Sequence, residues 1–176
     1  MADTALLVVD IQERLAAVMS KRERVVTNTV HLIECAKLLG LPVLLTEQYP
    51  KGLGPTLDEV KSSLPKYEPF EKLHFGCCDE PGFCDRIAAL DRRVIIVAGM
   101  ETHVCVLQSV IGLLKEGFGV HVAADAVCSR KKDDHLIGLG VARDAGAIIT
   151  STEAALFQLL RRAGTEEFKA ISRRIK

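Results

Sequence analysis

Two side chains in this sequence combine a reactive group with a position that folding tends to present to ligands. Asp10 closes the apolar run Ala5-Leu6-Leu7-Val8-Val9, so its carboxylate is expected at the rim of whatever sheet that run joins. Partial burial raises a carboxyl pKa unless a cation or hydrogen-bond donors keep the group ionised. The competing reading is an ordinary turn or helix-capping acid. Cys105 follows the turn Gly99-Met100-Glu101-Thr102-His103-Val104 and opens a helical stretch. A thiol at a helix start feels the positive end of the dipole and free backbone N–H groups, which favours thiolate and offers donors for an oxyanion. The alternative is a buried, inert cysteine, because free Cys is among the most buried residue types.

The elements that must position these residues alternate between strand and helix patterns, as parallel βαβ units do. Strands are expected at 5–10, 42–47, 93–99, 120–125 and 147–150, and helices near 21–39, 80–90, 104–116, 134–145, 153–162 and 166–173. The stretch from Gln48 to Phe75 carries Pro50, Gly52, Gly54, Pro55, Pro65 and Pro69, which reads as a long loop with short ordered pieces. The expected architecture is α/β: a three-layer αβα, Rossmann-like arrangement around a mainly parallel sheet of about six strands, forming one domain over residues 1–176. In such sheets ligands bind beyond the carboxyl ends of the strands. Those ends are Asp10, Glu47 with Gln48, the turn from Gly99 to Cys105, Asp125, and Ser151 with Thr152.

Composition narrows the function classes. The 176 residues are 48% hydrophobic, enough for a core without covalent staples. Lys plus Arg and Asp plus Glu both count 23, so no long-range field draws the chain to nucleic acid or an anionic membrane. No apolar run is long enough for a membrane span, and the first residues lack the features of a signal peptide. The six cysteines, Cys35, Cys77, Cys78, Cys84, Cys105 and Cys128, are expected to be thiols in a cytoplasmic protein.

Three separated segments coincide with a known family: Leu7-Val8-Val9-Asp10-Ile11-Gln12, Glu71-Lys72-Leu73-His74-Phe75, and Gly99-Met100-Glu101-Thr102-His103-Val104-Cys105-Val106. Together they resemble the isochorismatase-like cysteine hydrolases, which include nicotinamidases and N-carbamoylsarcosine amidase. Val122-Ala123-Ala124-Asp125-Ala126 and Gly146-Ala147-Ile148-Ile149-Thr150 extend the resemblance along most of the chain. Thr46-Glu47-Gln48-Tyr49-Pro50 and Glu101-Thr102-His103-Val104-Cys105 are similar to the isochorismatase-domain proteins of unassigned substrate. The resemblance implies a triad of Asp10 as base, Lys72 as charge stabiliser and Cys105 as nucleophile. It also implies a cis Met100–Glu101 bond and an oxyanion hole from the N–H groups of Glu101 and Cys105. Without it, Lys72 reads as a solvated loop lysine.

Departures from the pattern matter equally. Nicotinamidases of this family carry metal-binding histidines after the second strand, whereas Glu47-Gln48-Tyr49-Pro50-Lys51 has none. True isochorismatases cleave a vinyl ether without the cysteine. The implied reaction is therefore hydrolysis of a C–N bond in a small amide or ureido compound, through a thioester-like intermediate and without a cofactor. Gln12, Gln48, Tyr49 and Phe75 are candidates to line the pocket, with His103 beside it; His31, His121 and His135 read as structural or solvated. The family also implies a homo-oligomer, for which Leu156, Phe157 and Phe168 are candidates unless they belong to the core. Two rival readings remain: an idle fold retained for binding or assembly, and a zinc or redox site at His74, Cys77, Cys78 and Cys84, whose adjacent cysteines depart from usual zinc-ligand spacing. Ser129 to Asp134 reads as a solvated charged loop.

Overall fold

The computed structural model describes residues 3–175. It is an all-parallel six-stranded sheet with helices on both faces, in the strand order β3-β2-β1-β4-β5-β6. The strands are β1 (Thr4–Val9), β2 (Val43–Gln48), β3 (Phe70–Lys72), β4 (Val94–Met100), β5 (Gly119–Cys128) and β6 (Ile148–Thr150). The helices are α1 (Glu13–Ala16), α2 (Arg22–Leu38), α3 (Pro50–Leu53), α4 (Asp58–Lys61), α5 (Phe83–Ala88), α6 (Leu107–Lys115), α7 (Lys132–Asp144), α8 (Thr152–Leu160) and α9 (Glu166–Arg174).

The apolar run of β1 follows from burial on both faces. Leu6 and Val8 enter one core with residues of α2, α8 and α9, while Ala5, Leu7 and Val9 enter the other with residues of α5, α6 and α7. Side chains alternate across a strand, so a strand covered on both sides needs apolar residues at every position. Neighbouring β4 divides in the same way, with Ile96, Ala98 and Met100 on the first face and Ile95 and Val97 on the second. From β1 the chain runs outward through β2 and β3, and from β4 it runs the other way through β5 and β6. The connections therefore diverge between β1 and β4, where open parallel sheets bind ligands.

Two boundaries differ from expectation. The segment from Gln48 to Phe75 contains β3, a three-residue edge strand in register with β2 through Thr46–Phe70, Glu47–Glu71 and Gln48–Lys72. Strand β5 runs past Asp125 to Cys128, because its register against β4 shifts between Val97–Val122 and Gly99–Val127. Asp125 therefore lies inside the irregularity, where its Oδ1 accepts hydrogen bonds from the N–H (2.7 Å) and hydroxyl (2.8 Å) of Thr152 at the start of α8. Leu156 is fully buried in the core, whereas Phe157 is partly exposed and packs against Phe168 at 6.0 Å between centroids.

At the β1–β4 contact, Gly99 adopts φ +131°, and a Cβ there would lie 2.0 Å from the Val9 carbonyl oxygen. Only glycine lets β4 approach so closely just before the turn that carries Cys105. The substitution Gly99→Ala combines a forbidden φ with a backbone clash and is expected to cost at least about 1–3 kcal/mol. A fall in the urea midpoint, with an unchanged denaturant slope, would register that loss.

Candidate active site

Asp10, Lys72 and Cys105 meet at the carboxyl edge of β1, β3 and β4. Asp10 follows β1 with φ +51°, a left-handed conformation that aspartate tolerates better than most residues. Its side chain is fully buried, and its two oxygens are taken by different partners: Oδ2 by the Lys72 ammonium at 2.7 Å and Oδ1 by the Thr46 hydroxyl at 2.7 Å. The Cys105 thiol lies close enough to this carboxylate for its charge to act on the thiol.

Lys72 ends β3 beside Gln48 of β2. Its Nζ faces Gln48 Oε1 at 2.8 Å, the Phe75 carbonyl at 3.1 Å and the His74 carbonyl at 3.3 Å, besides Asp10. An ammonium has three protons and no acceptor capacity, so a shell made entirely of oxygens suits the charged form alone. Burial acts to lower the Lys72 pKa, but the Asp10 carboxylate first, then the sulfurs of Cys105 and Cys77, more than offset it and leave it raised. The lysine is thus a buried member of the cluster and not a solvated loop residue.

Cys105 lies in the wide first turn Thr102–Val106 that precedes α6, with only 5% of its surface exposed. Val104 and Val106 send their N–H groups to the Glu101 carbonyl, both at 3.1 Å, while the Cys105 N–H between them does not. The Met100–Glu101 peptide bond is cis. The thiol pKa is raised, by burial first and then by the negative charge of Asp10, with Lys72 acting in the opposite sense. Burial and a neighbouring carboxylate thus act against the thiolate that the helix start was expected to favour.

The surrounding residues hold this arrangement. Gln12, expected to line a pocket, is fully buried and saturated by backbone: Nε2 donates to the carbonyls of Gln48 (3.0 Å) and Gly54 (2.7 Å), and Oε1 accepts the Gln48 N–H (2.8 Å). Gln48 is similarly occupied, since its Nε2 donates to the Leu73 carbonyl at 2.8 Å while its Oε1 serves Lys72. Tyr49, at φ +37°, lines a cavity of about 370 Å³ with Pro50, Lys51, Glu71, Lys72, Leu73 and Glu80, so that of the three clustered residues Lys72 borders it. Phe75 contributes its carbonyl to Lys72, and its ring is exposed. His103 turns toward Ser129, with Nδ1 at 2.9 Å from the hydroxyl. A larger hollow of about 470 Å³ is formed by the turn Met19–Arg24 and includes no member of the cluster.

Three supports were not foreseen. Glu47 is buried, and its Oε1 accepts from the Thr56 N–H and hydroxyl, each at 2.7 Å, and from the Tyr67 hydroxyl at 2.6 Å, tying the 54–67 segment to β2. Burial, followed by Glu47, pushes the Tyr67 phenol up to about 12. The Glu101 carboxylate takes the Arg130 N–H at 3.0 Å and Nε at 3.1 Å, so the charged 129–134 segment braces the turn that carries Cys105. Ser109, one helical turn after Cys105, donates to the Cys105 carbonyl at 2.6 Å and accepts the Cys77 N–H at 3.0 Å. Spacing from Cys105 was the one sequence signal for Ser109; the other two depend on long-range contacts.

The residues of the rival metal site do not converge. His74 Nδ1 pairs with Glu80 at 2.9 Å, Cys77 is buried beside Ser109, and the Cys84 thiol points to the Cys78 carbonyl at 3.7 Å. Among the described residues no group of three or more His, Cys, Asp or Glu side chains is placed to hold a metal ion. The His74 N–H, then its imidazole, then the Leu73 N–H hold the Glu80 carboxyl down to about 2. Glu80 thus fastens the strap that follows Lys72.

A six-stranded all-parallel sheet with flanking helices is the architecture of isochorismatase-like hydrolase structures. The isochorismatase domain pattern matches residues 4–154, and the chain belongs to that family. It is 38% identical over 172 residues to isochorismatase family protein 1B of Dictyostelium discoideum, covering 96% of this chain and 84% of that one. It is 35% identical to isochorismatase domain-containing protein 2 of Danio rerio, over 97% and 85% of the two chains. The structure of the MAR1 ribonuclease of Caenorhabditis elegans superposes with a TM-score of 0.92 at 36% identity, over 99% of this chain and 90% of that one.

Two measurements test this electrostatic arrangement. Lys72→Met leaves a buried carboxylate without its cation and should cost about 3–5 kcal/mol, while the double variant with Asp10→Asn should recover much of that loss; urea midpoints of the three variants provide the comparison. The second concerns alkaline pH. An ordinary thiol titrates near 9.0, while Cys105 and Cys77 are both raised, the latter to about 12. Below pH 9 folded and unfolded chains both hold these protons; above it the unfolded chain releases them and the fold does not. Stability is thus fully present below pH 9 and declines as pH rises toward the folded values, by about 1.4 kcal/mol per pH unit for each such thiol. Cys35, Cys78 and Cys128 are raised as well, so removing Cys105 and Cys77 together as alanines should make this limb of a stability-versus-pH curve shallower without abolishing it.

Proposed function

We propose that this chain is a cysteine hydrolase that breaks the C–N bond of a small amide or ureido compound through a Cys105 thioester. The observation that carries this reading is the shared carboxylate: one buried Asp10 side chain meets the Lys72 ammonium at 2.7 Å and lies near the Cys105 thiol, on which its charge acts. A thiol whose pKa is raised beside a carboxylate suits general-base activation, in which the carboxylate takes the proton as sulfur attacks.

In the first half-reaction Sγ attacks the substrate carbonyl carbon while the thiol proton passes to Asp10, and the π pair moves to the carbonyl oxygen. The N–H groups of Cys105 and Glu101 receive that oxyanion; comparable donors in other enzymes contribute about 2.7–4 kcal/mol each. Collapse of the tetrahedral adduct breaks the C–N bond, and Asp10 returns its proton to the leaving nitrogen. In the second half-reaction a water gives a proton to Asp10 and attacks the thioester, releasing the acid and restoring the thiol. Lys72, with its raised pKa, stays an ammonium throughout and compensates the negative charge as it moves between carboxylate, sulfur and oxygen.

The cavity of about 370 Å³ beside Tyr49 has the size of a small-molecule site. All six cysteines are free, which favours a reducing, cytoplasmic setting, and among the described residues no helix is long and apolar enough to cross a membrane. Self-association accompanies this reading: Leu136, Ile137 and Val141 of α7 and Ile148 of edge strand β6 are exposed apolar residues, and such surface supports a homo-oligomer.

The test is a screen of small amides, ureides and carbamoyl compounds with the parent, Cys105→Ala and Asp10→Asn. Turnover in the parent should fall by about a thousandfold or more in Cys105→Ala and by about 10²–10⁴-fold in Asp10→Asn. Mass spectrometry of acid-quenched parent should find an acyl adduct on the peptide containing Cys105. Turnover that survives Cys105→Ala would eliminate the nucleophile assignment.

A further inference from the structure

A second concave site lies on the other side of the nucleophile's turn. It has a volume of about 340 Å³, within the range of small-molecule sites, and is walled by Lys21, Arg24, Lys132 and His135, with Ser20 and Ser129 between them. Its floor is Cys128, the last residue of β5, paired in register with Met100 at the end of β4. The site therefore sits at the carboxyl edge of the sheet, as ligand sites in open parallel sheets do, but on the β5 side and away from Lys72.

The charge in this cleft is arranged and uncompensated. Lys21 and Arg24 are spaced i, i+3 at the start of α2, and Lys132 and His135 are spaced i, i+3 at the start of α7, so each pair shares one helix face. No carboxylate lines the cleft. Among the described residues Lys21, Arg24 and Lys132 form no ion pair, and the nearby Glu101 carboxylate is already engaged by Arg130. Arg24 lies close enough to His135 to disfavour its protonation, adding to the effect of burial. Like charges held together across a concave wall, with hydroxyls between them, suit a ligand that brings two negative charges and several acceptor oxygens. The cleft also touches the catalytic turn: His135 Nδ1 lies 2.9 Å from the Thr102 hydroxyl, three residues before Cys105.

We propose that this cleft binds a small doubly anionic molecule of the phosphate or phosphate-ester class, at a site separate from the cavity beside Tyr49, and that its occupancy is communicated to the Cys105 turn through His135 and Thr102. A small anion fits better than a polynucleotide, because the cleft is compact and the chain carries 23 basic against 23 acidic residues.

The experiment titrates inorganic phosphate and pyrophosphate into the full chain at constant ionic strength, following the histidine imidazole signals and the Thr102 amide by NMR. The expected result is a saturable shift of His135 and Thr102 with His121 unmoved. Arg24→Gln with Lys132→Gln should weaken binding at least tenfold, Lys21→Gln should weaken it less, and Lys51→Gln at the other cavity should leave it unchanged. These exposed positions should preserve the fold, and the rest of the amide spectrum reports whether they do; Lys21→Gln alone remains decisive if the double variant is perturbed. A uniform drift of all histidines, an equal response to chloride, or binding indifferent to Arg24, Lys132 and Lys21 would overturn the proposal. Affinity that grows with the length of an oligoribonucleotide and exceeds that for pyrophosphate would replace the small anion with RNA.

Discussion

The buried contact between Lys72 and Asp10 is the interaction around which the rest of the site is organised. A charge taken out of water costs several kcal/mol unless a partner and hydrogen bonds replace its hydration. Here the ammonium finds four oxygens and the carboxylate finds an ammonium and a hydroxyl. The replacement ligands come from separate stretches of chain, Thr46 and Gln48 from β2 and His74 and Phe75 from the strap after Lys72, so satisfying the pair fixes the end of β1, β2, β3 and that strap relative to one another. The same low-dielectric surroundings that make the pair costly push the Cys105 thiol pKa up.

Several polar residues beside the cluster serve its backbone and not a ligand. Gln12 and Gln48 use nearly all their amide capacity on carbonyls, one N–H and the Lys72 ammonium, and Glu47 spends one oxygen on three donors. This follows from the long, proline-rich segment between β2 and β3. Its short helices cannot satisfy all their own backbone groups, and its approach to the sheet buries some of them. Side chains at the strand ends supply the missing partners and thereby set the position of Tyr49 and the cavity beside it.

What was legible in the sequence follows the range of the interactions involved. β1 and β4 announce themselves because two-sided burial forces uninterrupted apolar runs, and Asp10 and Cys105 could be singled out because each ends or follows such a run. Lys72 could not be found from pattern. β3 is three residues long, follows Pro69, and is a strand only because β2 lies alongside it. The family resemblance supplied that residue where periodicity could not. The 129–134 segment looked like solvated surface because Arg130 is charged, yet its guanidinium closes on Glu101, 29 positions earlier in the chain. Gln12 and Gln48 were placed on the pocket wall because of their neighbours, but a single sequence does not reveal which backbone groups need a partner.

The shortness of β3 separates two properties that usually travel together. It is an edge strand, paired on one side only and through three residues, and it carries the ammonium. The central ladders of β1, β4 and β5 do not depend on it. A peripheral opening of this edge would withdraw Lys72 and the carbonyls of His74 and Phe75 while leaving both apolar cores intact, and such sub-global openings generally require less free energy than complete unfolding. Competence of the cluster and persistence of the domain are accordingly governed by different free-energy gaps, and evolution can adjust the first by altering a few hydrogen bonds at the sheet margin without repacking the interior.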